Sequence, residues 1–157
     1  MSAFDINTKN HEASLLLLNN ETDIVDEQRD LAGETYKQLM TTYRKGGASN
    51  GHMFNLKAQN GKSIILRGLA INTYKVGPLK IEIYVKRGNY KGYEMNRNAW
   101  TLWASTTVVG RGSGNPTRIP PSKFPRMAIS PNEMRAFYIK CGNAHGACLL
   151  STREVSR

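Results

Sequence analysis

Leu79-Lys80-Ile81-Glu82-Ile83-Tyr84-Val85-Lys86 is the stretch that decides the fold class. Leu79, Ile81, Ile83 and Val85 alternate with Lys80, Glu82, Tyr84 and Lys86, so a two-residue period sends one set inward and the other into water. That is the pattern of a half-buried antiparallel strand. Arg87-Gly88-Asn89 marks its end, and Gly77-Pro78 reads as the turn before it.

Similar signals recur on both sides. Thr35 to Tyr43 fits either a helical stripe (Tyr36, Leu39, Met40, Tyr43) or a strand (Leu39, Thr41, Tyr43). The Thr pair and the following Gly46-Gly47 favour the strand. Met53 to Ala58 is a short strand closed by Gln59-Asn60-Gly61, where Asn-Gly suits a hairpin turn because both residues accept positive φ. Further strands are expected over Ser63 to Asn72, Trp100 to Val109, Arg126 to Ile129, Met134 to Cys141 and Ala147 to Ser151. Gly110 to Pro121 reads as a long loop, and Ser130-Pro131-Asn132 as a turn. About eight short strands at this spacing predict an all-β fold, an antiparallel β-sandwich of jelly-roll type. A parallel α/β fold is not expected, because each parallel crossover needs a dozen residues or more. Trp100 and Trp103 stand three apart, so they should reach opposite faces.

Charge divides the 157-residue chain in two. Residues 1–44 hold eight acids (Asp5, Glu12, Glu21, Asp23, Asp26, Glu27, Asp30, Glu34) and four bases (Lys9, Arg29, Lys37, Arg44). With +10 overall, the remainder carries +14. Residues 1–34 therefore read as an acidic N-terminal arm, partly helical or disordered, with at most a short helix over Asp23 to Ala32; residues 35–157 read as the β-sandwich domain. A body this basic attracts polyanions: nucleic acid, anionic polysaccharide or anionic lipid. No stretch approaches the roughly 18 consecutive apolar residues of a membrane span. The start of the chain lacks a basic n-region, so no signal peptide is read there and the compartment stays open.

Motifs for chemistry are sparse. Gly110-Arg111-Gly112-Ser113-Gly114 lacks the third glycine of a dinucleotide loop and is followed by prolines instead of a helix N-terminus. Gly61-Lys62-Ser63 resembles the tail of a phosphate loop, but Leu56 occupies the position of the leading glycine. His11, His52 and His145 form no metal pair, and Glu82, Glu94, Glu133 and Glu154 are scattered. Neither an enzyme nor a metal or cofactor is expected. Cys141 and Cys148 could bridge a short hairpin, but two reduced thiols are expected in a chain without a secretory signal.

Aromatic and basic residues do cluster. Tyr84, Lys86, Arg87, Tyr90, Lys91, Tyr93 and Arg97 gather at one strand end and its loop. Such a mixture stacks on sugar rings or bases while its cations meet phosphate, sulfate or carboxylate. The alternative is structural: the tyrosines pack the loop down and the basic stems cover apolar surface.

The series His52-Met53-Phe54-Asn55-Leu56-Lys57-Ala58, Ile81 to Glu94, Trp100, Val109 to Gly114, Thr117-Arg118-Ile119-Pro120 and Arg135-Ala136-Phe137-Tyr138 resembles a poorly characterised β-sandwich module of diatoms and other marine microbes. There it occurs singly or repeated in secreted or surface proteins. The resemblance covers about residue 36 to residue 141 and implies the fold, an extracellular or surface setting and matrix interaction, with no catalytic residues. Such modules continue beyond the Arg-Ala-Phe-Tyr strand, whereas this chain ends at Arg157. A shortened module would leave a sheet edge uncovered and invite homo-oligomers through strand pairing, unless the acidic arm covers it. The expected function is a non-enzymatic binding or structural module for polysaccharide or another polyanion. The alternatives are a self-assembling shell, coat or filament subunit, and a basic nucleic-acid-binding domain.

Overall fold

The computed structural model describes residues 2–7, 15–16, 23–29, 35–40, 48–49, 51–58, 63–142 and 148–149, with side chains over 51–58, 63–66 and 68–142. Its strands in chain order are β1 (Ser2–Asn7), β2 (Leu15–Leu16), β3 (Asp23–Arg29), β4 (Thr35–Met40), β5 (Ala48–Ser49), β6 (Gly51–Ala58), β7 (Ile64–Ile71), β8 (Val76–Arg87), β9 (Thr101–Arg111), β10 (Thr117–Ile119), β11 (Met127–Ile129), β12 (Met134–Cys141) and β13 (Cys148–Leu149). The fold is all-β, and among the described residues every strand pairing is antiparallel. One sheet runs β10-β7-β1-β4-β3, with β11 also on β7; the second runs β2-β6-β12-β8-β9; β13 and β5 form a small third pair.

In β8 the two-residue rhythm is realised: Leu79, Ile81, Ile83 and Val85 are all buried. They join Leu56 and Ala58 of β6, Phe137 and Ile139 of β12, and Ile64, Leu66, Leu69 and Ile71 of β7 in one cluster fed by both sheets. Phe137 is fully buried and stacks on Phe54 at 5.2 Å, with the edge of Trp103 at 6.1 Å. Phe124 reaches the same cluster from a 3-10 turn, Pro121–Lys123, and lies 4.9 Å from Trp103.

A bulge explains why β7 breaks strict alternation. Ile64 and Leu66 fall on even positions and Leu69 and Ile71 on odd ones, yet all four are buried. The pairing with β1 shifts register where Asp5 faces Gly68 and Ile6 faces Leu66, skipping one residue and turning the second half of β7 back toward the core. A second shift, between Ile83 and Tyr84 opposite β9, pairs Tyr84 with Leu102 and Ile83 with Ala104.

The structure corrects several local expectations. Within the acidic arm, residues 2–7 and 23–29 are strands, and β1 lies between β7 and β4, so the expected short helix from Asp23 is strand β3. An open strand edge is satisfied by any backbone that can pair, whatever its charge. The expected turn at Asn60-Gly61 lies outside the described residues; β6 and β7, on either side of it, belong to different sheets. Gly77 and Pro78 are inside β8, Gly77 at φ +93°, and the chain turns at 72–75 instead. The expected long loop from Gly110 is interrupted by the end of β9 and by β10, whose Thr117 and Ile119 are buried against β7.

Cys141 is disulfide-bonded, against the expectation of free thiols, and the chain's other cysteine is Cys148. The backbone brings these positions together: Lys140 pairs with Gly51 and Cys148 with Ser49, at adjacent points along β5 and β6.

Two outcomes follow. Phe137→Ala should cost about 3–5 kcal/mol of unfolding free energy in urea titration, because it empties the centre of the shared cluster. Reduction should lower stability by about 2–3 kcal/mol for so short a loop, and alkylation of the unfolded, unreduced chain should label no thiol.

Candidate binding face

The outer face of the second sheet is built by register. Tyr138 of β12 pairs with Met53 of β6 and Tyr84 of β8, and Tyr84 pairs with Leu102 of β9. One step along, Lys140 faces Gly51 and Glu82, and Glu82 faces Ser105. Directly paired residues share a face, so these rows lie side by side. The Tyr84 and Tyr138 rings stack at 5.8 Å, and Trp100 meets Tyr138 edge-on at 6.1 Å. Gly51 makes this row possible: a Cβ there would come within 2.6 Å of the Tyr138 ring.

Residues 88–100 close over the upper end of this face and are tied to it. Asn55, buried on β6, donates from Nδ2 to Asn89 Oδ1 at 2.9 Å and accepts from the Tyr90 N–H at 3.1 Å. Trp100 Nε1 donates to the Tyr93 carbonyl at 2.9 Å. Lys86 Nζ lies 3.8 Å from the Tyr93 ring centroid and donates to the carbonyls of Arg87 and Asn89. A cation held this way is spent largely on organising the loop.

The seven residues singled out from sequence therefore divide. Lys86, Tyr90 and Tyr93 come together around the loop, with Tyr93 42 % exposed, while Tyr84 lies on the sheet face, stacked on Tyr138 and bonded to Glu82. Arg97, exposed in the 3-10 turn Arg97–Ala99, stands close enough to act electrostatically on the Tyr84 hydroxyl. Lys91 is exposed on the loop. Arg87 does not join them; it turns toward Glu133, 3.9 Å away, which Arg135 also contacts at 2.7 Å. Tyr138, Lys140, Asn55 and Trp100 belong to the face but were not among the candidates, since only register carries Tyr138 to Tyr84. The tryptophans do separate: Trp103 packs on Phe124 and Phe137, and Trp100 lies on the outer face.

Glu82 is the acid at the centre. Its Oε1 meets Lys80 at 3.2 Å, and its Oε2 accepts from Lys140 at 3.3 Å and from the Tyr84 hydroxyl at 3.1 Å. Lys80, bonded to it, holds the Glu82 carboxyl below the ordinary carboxylate value, with Lys140 and Tyr84 adding to this and burial opposing it. Burial pushes the Tyr84 hydroxyl up, and the Glu82 charge adds to the rise. The Ser130 N–H, then Arg135, hold Glu133 down in the same way. Each of these two acids is shared between cations, so the surface stays basic after pairing.

The glycine cluster at 110–114 offers no phosphate cradle. The Gly112 N–H bonds the Lys75 carbonyl, the Gly114 N–H bonds Asn72 Oδ1 and the Arg111 N–H bonds Thr117 Oγ1. Among the described residues no three His, Cys, Asp or Glu side chains gather as a metal site, and no helix is long and apolar enough to cross a membrane.

A carboxylate whose folded pKa is depressed stabilises above its unfolded value and loses that contribution as pH falls through the folded one. Acid titration of stability should therefore be less steep below pH 4.5 in Glu82→Gln than in the parent, the difference being about 0.2–1 kcal/mol for a pair this close to solvent. No family model, curated protein or solved structure matches this chain.

Proposed function

We propose that the chain is a non-enzymatic β-sandwich binding module for carbohydrate or polyanion, acting through the 88–100 loop and the sheet face beneath it. The observation that carries this reading is the convergence of Tyr84, Tyr138, Trp100 and Tyr93 with Lys140 and Arg97 on one side of the molecule. Half-buried rings present flat apolar surface to a sugar face, and cations beside them meet sulfate or carboxylate groups. The loop is held before any ligand arrives, by Asn55, Trp100 and the Lys86–Tyr93 contact, so little ordering entropy remains to be lost on binding. The resemblance to surface and matrix modules of marine microbes fits such a role.

In glycan-array or polysaccharide pull-down assays, Tyr90→Ala combined with Tyr93→Ala should reduce binding about tenfold or more, equivalent to roughly 1.4 kcal/mol. Undiminished binding would remove the loop from the site.

A second reading, self-assembly, is favoured by β9. This strand ends its sheet, and no charged residue lies between Thr101 and Gly110. Leu102 and Val109 are exposed on it, and an uncharged edge of that length is a template for another strand. Light scattering that finds only monomers at high concentration and high salt would exclude it.

A further inference from the structure

The outer face continues well beyond the loop, and its charges continue with it. Along β8 the outward positions below Tyr84 are Glu82, Lys80, Pro78 and Val76, paired in β9 with Ser105, Thr107, Val109 and Arg111. Lys140 lies beside Glu82 from β12. From Lys86 to Val76 this face runs ten residue steps, about 33 Å at the rise of a strand. Glu82 is the one acid on the described strands of this face, already shared by Lys80 and Lys140, and the loop at its end adds the exposed Glu94. Arg97 at one end and Arg111 at the other have no carboxylate partner among the described residues, and both are exposed.

Building on the binding role proposed above, we infer that this face is an extended track for a linear anionic polysaccharide, with the loop at one end and Arg111 at the other. The middle of the track decides between polymers. Lys80, Lys140, Ser105 and Thr107 set ammonium groups beside hydroxyls, which suit the sulfate or carboxylate and the hydroxyls of a sugar chain. Single-stranded nucleic acid needs a succession of open rings on which bases stack. Here the rings are confined to the loop end of the face, and no aromatic residue follows Tyr84 along β8 toward Val76.

A track makes affinity depend on ligand length, as a single pocket does not. The test compares heparin and alginate polymers with their disaccharides by calorimetry, on the full chain. Long chains should bind at least tenfold more tightly than disaccharides. Arg111→Gln, and Arg111→Gln with Lys80→Gln, should weaken the long chains severalfold and leave the disaccharides unchanged. Lys123→Gln with Arg126→Gln removes as much charge from exposed positions outside this face and should change neither.

Equal losses in that control would reduce the effect to net charge and overturn the track. Unchanged polymer affinity in the Arg111 variants, with the Tyr90 and Tyr93 variant still defective, would overturn the track and leave the loop site standing. No binding of any saccharide would sink the reading on which the track rests. Oligodeoxynucleotides competing as well as heparin, with the same dependence on Arg111, would overturn the assignment to polysaccharide. Binding of heparin without alginate would identify sulfate as the group read.

Discussion

Phe137 sits where the two sheets must agree. It is fully buried, stacked on Phe54 and met by Trp103, in a cluster to which β6, β7, β8, β9, β10, β11 and β12 all contribute. Each strand offers one apolar face, and a face is stable only when another covers it. The bulge in β7 obeys that demand: skipping one residue keeps Ile64, Leu66, Leu69 and Ile71 on the same cluster, at the cost of locally irregular pairing.

The outer face inherits its geometry from this core. With Phe137, Ile139 and Cys141 inward, β12 must present Ala136, Tyr138 and Lys140 outward. The pairing that aligns Phe137 with Val85 also aligns Tyr138 with Tyr84 and Lys140 with Glu82. A one-residue slip would bury Lys140 and expose Phe137, so the apolar cluster holds the aromatic row and the Glu82 ion pairs in place.

Buried polar groups anchor the chain where hydrophobic contacts cannot. Asn55 holds residues 89 and 90, Asn72 holds Gly114, and Thr117 holds the Arg111 N–H, each replacing hydrogen bonds to water lost on folding. The first gives the 88–100 loop a defined position over the sheet. The other two, with the Lys75 carbonyl that takes the Gly112 N–H, occupy backbone donors of the glycine cluster, leaving a structural turn where the sequence pattern alone could be mistaken for an anion cradle.

Alternation in Leu79 to Lys86 was enough to assign an antiparallel β fold, to orient β8 and to point Glu82 outward, because side-chain direction in a strand is a local property of the backbone. The bounds of β12 and the turn at Ser130-Pro131-Asn132 were legible for the same reason, with Asn132 taking the positive φ of 62° that its short side chain tolerates. Pairing partners are not local. That β6 and β7 separate into two sheets, that residues 2–7 of the N-terminal arm fill a place beside β7, that Tyr138 comes to lie on Tyr84 and that Lys86 settles over Tyr93 all depend on which apolar faces cover one another. Period alone tells a residue which side to face; only the assembled core selects its neighbour.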